Sequence, residues 1–311
     1  MARLSQLQLD VLRDSGTDMR GLIAELYPIC RSITGDGYRQ TMCRIQQIIP
    51  LTIHEVPSGT EVFDWVVPKE WNIREAYVKA PDGKRVIDFR RQNLHVLQYS
   101  HPIRRKMPLS ELKNHLYSLP DFPDWIPYRT SYYKENWGFC LSQKQLDSLE
   151  EGEYEVVIDS SLEDGHLTYG EYFIQGETDD EVLLSCHCCH PSLCNDNLSG
   201  IAVTSTLAKL LAPLALRYSY RFLFIPGAIG SITWLAQNEP RAARIKHELV
   251  IMEVGDSEQL HYRRNRRRIR KSIGQWNTHS LLEIAEKAGL AFDVVRHAAE
   301  TLEQHGVLES A

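Results

Sequence analysis

Residues 183–200 read LLSCHCCHPSLCNDNLSG, and this stretch decides how the rest of the chain is read. It leaves an apolar run, EVLLSC, which predicts a buried strand. It ends at the start of an apolar helix, LSGIAVTSTLAKLLAPL, with Asn197 or Ser199 as the N-cap. Between residues 187 and 196 lie two histidines, three cysteines and one carboxylate. Imidazole nitrogen, thiolate and carboxylate oxygen are the donors zinc favours. Two metal readings follow, beside the plainer one of a packed turn whose histidines bond backbone carbonyls. A closed structural cage would take Cys186, Cys189, Cys194 and a histidine, although the paired CxxC knuckles that usually build such cages are missing. A catalytic site would instead take His187 at the strand end and Asp196 before the helix, since an Asp can bridge two metals.

Outward from this loop the chain alternates. After residue 153, EYEVVIDSS, EYFIQGE, EVLLSC, YRFLFIP and HELVIMEV read as strands, and SITWLAQNE as a helix beside the one above. That rhythm predicts an α/β fold with a mixed, mostly parallel sheet covered by helices, whose ligand sites gather beyond the carboxyl ends of the strands. Toward the N-terminus, Leu22, Ile23, Leu26, Ile29 and Ile33 have helical spacing, TMCRIQQIIP repeats the pattern, and TGDG at 34–37 is a turn. Residues 56–98 carry short β-rich runs, VFDWVVP, REAYVKAP, RVIDF and NLHVLQY, with a hairpin turn at Pro81-Asp82-Gly83. Residues 101–150 are dense in Pro, Tyr and Trp and are read as rigid irregular chain, either core or pocket wall. The last forty residues give two helices about a turn at Gly289–Phe292, a helix-turn-helix or winged-helix pattern.

The composition is that of a globular chain of two or three units: 311 residues, 43% hydrophobic and 24% charged. A net charge of −6 and a pI near 6.1 give no global field for nucleic acid or anionic membrane. The arginine-rich run at 263–271 is the local exception and is read as a solvated surface. No signal-like or membrane-spanning apolar stretch occurs, and the seven cysteines are odd in number with four crowded into 186–194; a cytoplasmic protein is expected.

The segment Asp196-Asn197-Leu198-Ser199-Gly200 is similar to the Asp-Asp-x-Ser-Gly element of the zinc aminopeptidase family that includes the bacterial leucyl aminopeptidases. A nearer resemblance is to a bacterial subfamily named for polysaccharide biosynthesis and an aminopeptidase-like domain. Its hallmarks stand here as LYPICRSITGDG (26–37), PYRTSYYKENWGFC (127–140), CHCCHPSLCNDNLSG (186–200), IGSITWL (229–235) and HSLLEIAEKAGL (279–290). The resemblance implies an aminopeptidase-like domain over 1–54 and 121–272, an inserted β-rich module over 55–120, and a winged-helix-like module over 273–311. It implies hydrolysis of an amide or peptide bond with zinc held by His187 and Asp196. His190 and Asp256 (or Glu253) stand as further ligands, one zinc rather than two, and Tyr132, Tyr133 and Trp137 shape the substrate pocket. A small peptide or aminoacyl compound is the expected substrate, with no nucleic-acid or membrane partner.

Three departures qualify the activity. Pro226-Gly227-Ala228-Ile229-Gly230-Ser231 stands where relatives show Pro-Glu-Thr-Ile-Gly-Ser, so Gly227 replaces the general base. Cys189 replaces the aspartate of the family's HxD, whose role is to orient the histidine. The stretch before residue 273 is short and lacks the last metal-ligand histidine. The expectation is a catalytically impaired metallohydrolase; the alternative is a non-catalytic scaffold or regulatory protein working through its C-terminal helix-turn-helix.

Overall fold

The computed structural model describes residues 6–255. The winged-helix-like segment, the arginine-rich run and Asp256 lie outside these residues. Helix α1 (Gln6–Leu26) buries Met19, Leu22 and Leu26 along one stripe. The sequence pattern carried this helix on to Ile33, but it stops at Leu26. Pro28 disfavours helical geometry at the residue before it, and Ile33 is buried from a loop instead. Helix α2 (Asp36–Gln46) follows the predicted turn, in which Gly35 has φ +95°. A Cβ at Gly35 would lie 2.1 Å from the Trp71 carbonyl oxygen, so glycine is required there.

The main sheet holds β1 (Thr52–Pro57), β6 (His166–Ile174), β8 (Ser219–Ile225), β7 (Glu181–His187) and β9 (Ile245–Val250), in that spatial order. The β1–β6 and β6–β8 pairs are antiparallel, whereas β8–β7 and β7–β9 are parallel, so the sheet is mixed. The register sets Glu181 beside Ser219 at one end and His187 beside Ile225 at the other. Strand β8 is buried along its whole length, as befits its central place. Helix α3 (Gly200–Leu211) packs on β7 and β8, α1 packs on α3, and α2 packs on β6. The Tyr38 hydroxyl of α2 donates to the Phe224 carbonyl at 3.1 Å.

A second, antiparallel sheet has the order β3 (Arg85–Asp88), β2 (Glu70–Lys79), β5 (Glu153–Glu163), β4 (Ile103–Pro108). The β2–β3 hairpin turns at Pro81-Asp82-Gly83 as expected, with the Gly83 N–H donating to the Ala80 carbonyl at 2.9 Å. Strand β5 comes from beyond residue 120, and only Asp164 and Gly165 separate it from β6 of the main sheet. NLHVLQY, read as a strand, is not one: it opens with a single tight turn at Asn93–His95 and runs on irregularly. Its polar side chains are tied elsewhere, Asn93 to Pro28 and Ser192, and His95 to the Cys140 carbonyl. A two-residue ribbon, Glu61–Val62 with Trp65–Val66, stands apart and rests on α4 (Ile229–Gln237).

Candidate metal centre

His187 is the last residue of β7, at the carboxyl end of the strand, where open α/β sheets bind ligands. The chain then crosses a loop and re-enters through a widened turn at Cys194–Ser199 before α3 begins at Gly200. The Asp196–Asn197 peptide bond in that turn is cis. Asp196 lies between two imidazoles. Its Oδ1 is 2.7 Å from His187 Nε2, and its Oδ2 is 3.1 Å from His190 Nδ1. One donor atom from each of the three falls within 4.8 Å of the others, and theirs is the group of this kind found among the described residues.

The loop is held from below and behind. Arg31, fully buried, donates from Nε and Nη2 to the His190 carbonyl at 3.1 and 2.9 Å and from Nη1 to the Leu26 carbonyl. Ser192 donates to the Tyr27 carbonyl and accepts from Asn93. Asn197 uses its whole amide. Its Nδ2 donates to the carbonyls of His187 and Ile251, both at 3.1 Å, and its Oδ1 accepts from the N–H groups of Gly200 and Glu253. Asn197 therefore caps α3 through its side chain while joining the ends of β7 and β9. Ser199 accepts from Val254 N and Asn195 from Gly255 N, so residues 251–255 are stitched to the same loop. Glu253 is exposed at φ +52° and is not one of the clustered donors.

Electrostatics suit a cation. Burial would raise the Asp196 carboxyl, but hydrogen bonds from the two imidazoles outweigh it and hold it well below the usual carboxylate range. Burial would lower the His190 imidazole, but Asp196 and Cys189 outweigh it and hold it up to about 10. Two imidazoles and one carboxylate, partly open to solvent, fit one zinc with a coordination position to spare.

The other predicted residues are placed as follows. Tyr128, which sequence reading passed over, sets its ring 4.8 Å from that of His190 and shares a 2.7 Å hydrogen bond with the Tyr132 hydroxyl. Tyr132 packs on Tyr133, which is exposed. Trp137 is 6% exposed and stacked on His115, a place in the core. Cys186, Cys188 and Cys189 are buried and Cys194 is exposed; none joins the donor cluster. The Gly227 N–H points at Cys189 Sγ, 3.2 Å away, and a Cβ built on Gly227 would meet only that sulfur, at 3.5 Å. Position 227 thus adjoins the loop that carries His190 and has room for a Cβ. A cavity of about 490 Å³ lies at the opposite end of the strands, around Glu171, Glu181, Ser219 and Arg221.

Comparison with known proteins agrees with this architecture. The family model described as a domain of unknown function, DUF4910, matches residues 20–291. The chain belongs to the DUF4910 family. A Clostridium acetobutylicum relative named "Putative polysaccharide biosynthesis protein with aminopeptidase-like domain" is 57% identical over 253 residues, 81% of this chain and 58% of the relative. A crystal structure titled as a "putative peptidase" of that organism, also 57% identical, superposes with a TM-score of 0.78 over 80% of this chain and 59% of its own. This chain therefore spans a little under three fifths of the length of both. A zinc aminopeptidase from Bacillus subtilis, 14% identical, shares the fold at a TM-score of 0.59 over 93% of this chain and 83% of its own. The aminopeptidase-like α/β fold expected from the motifs is present. Among the described residues no helix is long and apolar enough to cross a membrane.

Proposed function

We propose that the chain is the aminopeptidase-like part of a zinc metallohydrolase that acts on an amide bond near a free amine. The observation that supports it best is the convergence of His187, His190 and Asp196 at the carboxyl end of β7 in this fold. When bound there, zinc supplies a Lewis acid that polarises a carbonyl and eases deprotonation of water. The chain's own part is to orient and to hold protons. Asn197 and Arg31 fix the loop backbone on either side of the imidazoles. Burial pushes the Tyr128 phenol up, so it stays a neutral donor beside His190.

The division into 1–54 with 121–272, an insertion over 55–120, and a winged-helix-like end belongs to this proposal, as do a cytoplasmic place and a small peptide or aminoacyl substrate. An acylated amino sugar is the second reading of the substrate, favoured by the name of the C. acetobutylicum relative. Turnover by this chain is slow, because Gly227 offers no carboxylate to take a proton; general-base help is commonly worth 10²–10⁴-fold, about 3–5 kcal/mol. The test is elemental analysis of the purified chain followed by aminoacyl-anilide hydrolysis with added zinc. At most one zinc per chain and little hydrolysis are expected. Two tightly held zincs, or chelator-sensitive turnover near one per second, would count against this reading.

A further inference from the structure

The ribbon at Glu61–Val66 breaks a local rule. Its two-residue turn, Phe63-Asp64, puts Phe63 at φ +57°, in a place that such hairpins give to glycine. A phenylalanine there carries backbone strain, and the residue is 60% exposed, so burial does not repay the strain. Trp65 and Val66 beside it are also exposed, whereas Val62 and Val67 are buried and anchor the ribbon. Folding gains nothing evident from the three outward apolar side chains, and such conflicts gather at functional places.

The ribbon is also connected to the metal centre. Trp65 meets Tyr133 edge-on at 5.1 Å, Tyr133 meets Tyr132, Tyr132 bonds Tyr128, and Tyr128 faces His190. On its other side the ribbon rests on α4, which begins two residues after Gly227. An aromatic wall thus runs outward from His190 and ends at an exposed apolar ledge.

We propose that Phe63 and Trp65 form a specificity-determining ledge at the outer end of this wall, selecting substrates with an aromatic or large apolar group remote from the reacting amide. This rests on the metal-centre reading above for the inner end of the wall only. The ledge offers ring faces and a valine, which match a dry apolar group better than a hydroxyl-rich sugar. It also explains Phe63: glycine would relieve the turn but remove a contact surface.

The test uses the zinc-loaded full chain and three hydroxamic acids as probes: acetohydroxamic acid, a phenyl-terminated octanohydroxamic acid and a glucosyl-terminated one. Calorimetry is expected to show the phenyl-tailed probe binding about tenfold tighter than acetohydroxamic acid. Trp65→Ala removes that advantage and leaves zinc content and acetohydroxamic acid affinity as they were. Phe63→Gly weakens the phenyl-tailed probe while raising the melting temperature, a pairing a purely structural role would not give. The proposal is overturned if the phenyl advantage persists in both variants, or if the glucosyl tail binds as tightly in a Trp65-dependent way. Should the chain take up no zinc, the metal reading fails by itself. The ledge is then tested with phenyl-terminated octanamide on the metal-free chain: binding that depends on Trp65 upholds it, and binding that does not overturns it.

Discussion

The two ends of the parallel pair β7–β8 each hold one charged side chain between two partners, and they hold it differently. At the end that begins with Glu181 and Ser219, Arg221 lies between Glu171 and Glu181. Both Glu181 oxygens accept from it, at 2.7 and 2.9 Å, and Glu171 takes Arg221 on one oxygen and the Trp234 indole N–H on the other. Those three side chains are 6, 11 and 2% exposed. At the far end Asp196 lies between His187 and His190, with side-chain exposures of 34, 14 and 21%. The first set is closed: each carboxylate oxygen has its donor, and little is free to exchange. The second is open, and its bonds are of the kind a metal can take over, since both imidazole nitrogens and the carboxylate converge. A cavity of about 490 Å³ opens at the closed end, where Glu171, Glu181 and Arg221 already satisfy one another.

The largest effect is expected from opening the closed end. Glu181→Ala strips Arg221 of its two-point partner and leaves a buried guanidinium underpaired, which typically costs about 3–5 kcal/mol. Folded domains commonly have about 5–15 kcal/mol in hand, so the variant should fold but unfold at much lower urea. Zinc content per folded chain should be unchanged. Equal stability would show that the closed set is ornamental, and zinc loss at low urea would show that β7 transmits strain between its ends.

At the open end the expectation reverses. His187→Ala removes one of three donors and should weaken zinc more than 100-fold, about 2.7 kcal/mol, while costing the metal-free fold little, because the imidazole is partly exposed and its partner stays solvated. Calorimetric zinc titration beside urea unfolding measures both. A large stability loss with zinc affinity intact would assign the histidine cluster to structure and break the contrast.

How much of this was legible beforehand follows from the range of each interaction. Strand β7, the loop and α3 could be read because their signals are local: an apolar run, a dense set of metal-ligating side chains, then a capped apolar helix. His187, His190 and Asp196 lie within ten residues, so their meeting needs only one turn of chain. Arg31 and Tyr128 stand inside the motifs without a local signal of their roles: Arg31 reaches His190 across 159 positions, and nothing near it in sequence points to that partner. The failed strand at 93–99 has the same cause. Its β-rich composition reads as a strand, but its side chains bond to Pro28, Cys140 and Ser192, all distant in the chain. Composition also could not show that β5 leaves the main sheet for the second one, because an apolar run such as Val156-Val157-Ile158, buried here, suits a strand in either sheet.

Proton competition sharpens the contrast further. His190 is held up to about 10, so below that pH its proton must leave when zinc arrives. For a raised histidine the proton-dependent stability is fully present below the unfolded value near 6.5 and is lost as pH rises through about 10. Zinc affinity should therefore rise about tenfold per pH unit, some 1.4 kcal/mol, between pH 7 and 9, while the metal-free fold loses stability throughout that range. In Glu181→Ala the zinc slope should be the same, because Arg221 does not touch the cluster. A flat affinity profile would mean that His190 is neutral in the metal-free chain or is no ligand.

The smallest effect is the most informative about catalysis. In Gly227→Glu the new Cβ would stand 3.5 Å from Cys189 Sγ with no other atom within 4 Å, so the turn can accept the side chain without moving backbone. The Gly227 N–H that donates to Cys189 Sγ belongs to the backbone, so the substitution keeps the donor. The new carboxylate would stand beside Cys189, next in sequence to His190. General bases placed by long adaptation are worth 10²–10⁴-fold. A grafted one, with no neighbours arranged to aim it, should give about tenfold, near 1.4 kcal/mol. Aminoacyl-anilide hydrolysis at saturating zinc, compared in Gly227→Glu, the parent chain and Gly227→Glu with His187→Ala, checks it. A tenfold rise that the second substitution abolishes ties the gain to the metal centre. A rise that survives it would be a stray carboxylate effect, and no rise with zinc fully bound would mean that the closed and open ends differ in exchangeability but that neither is poised for hydrolysis.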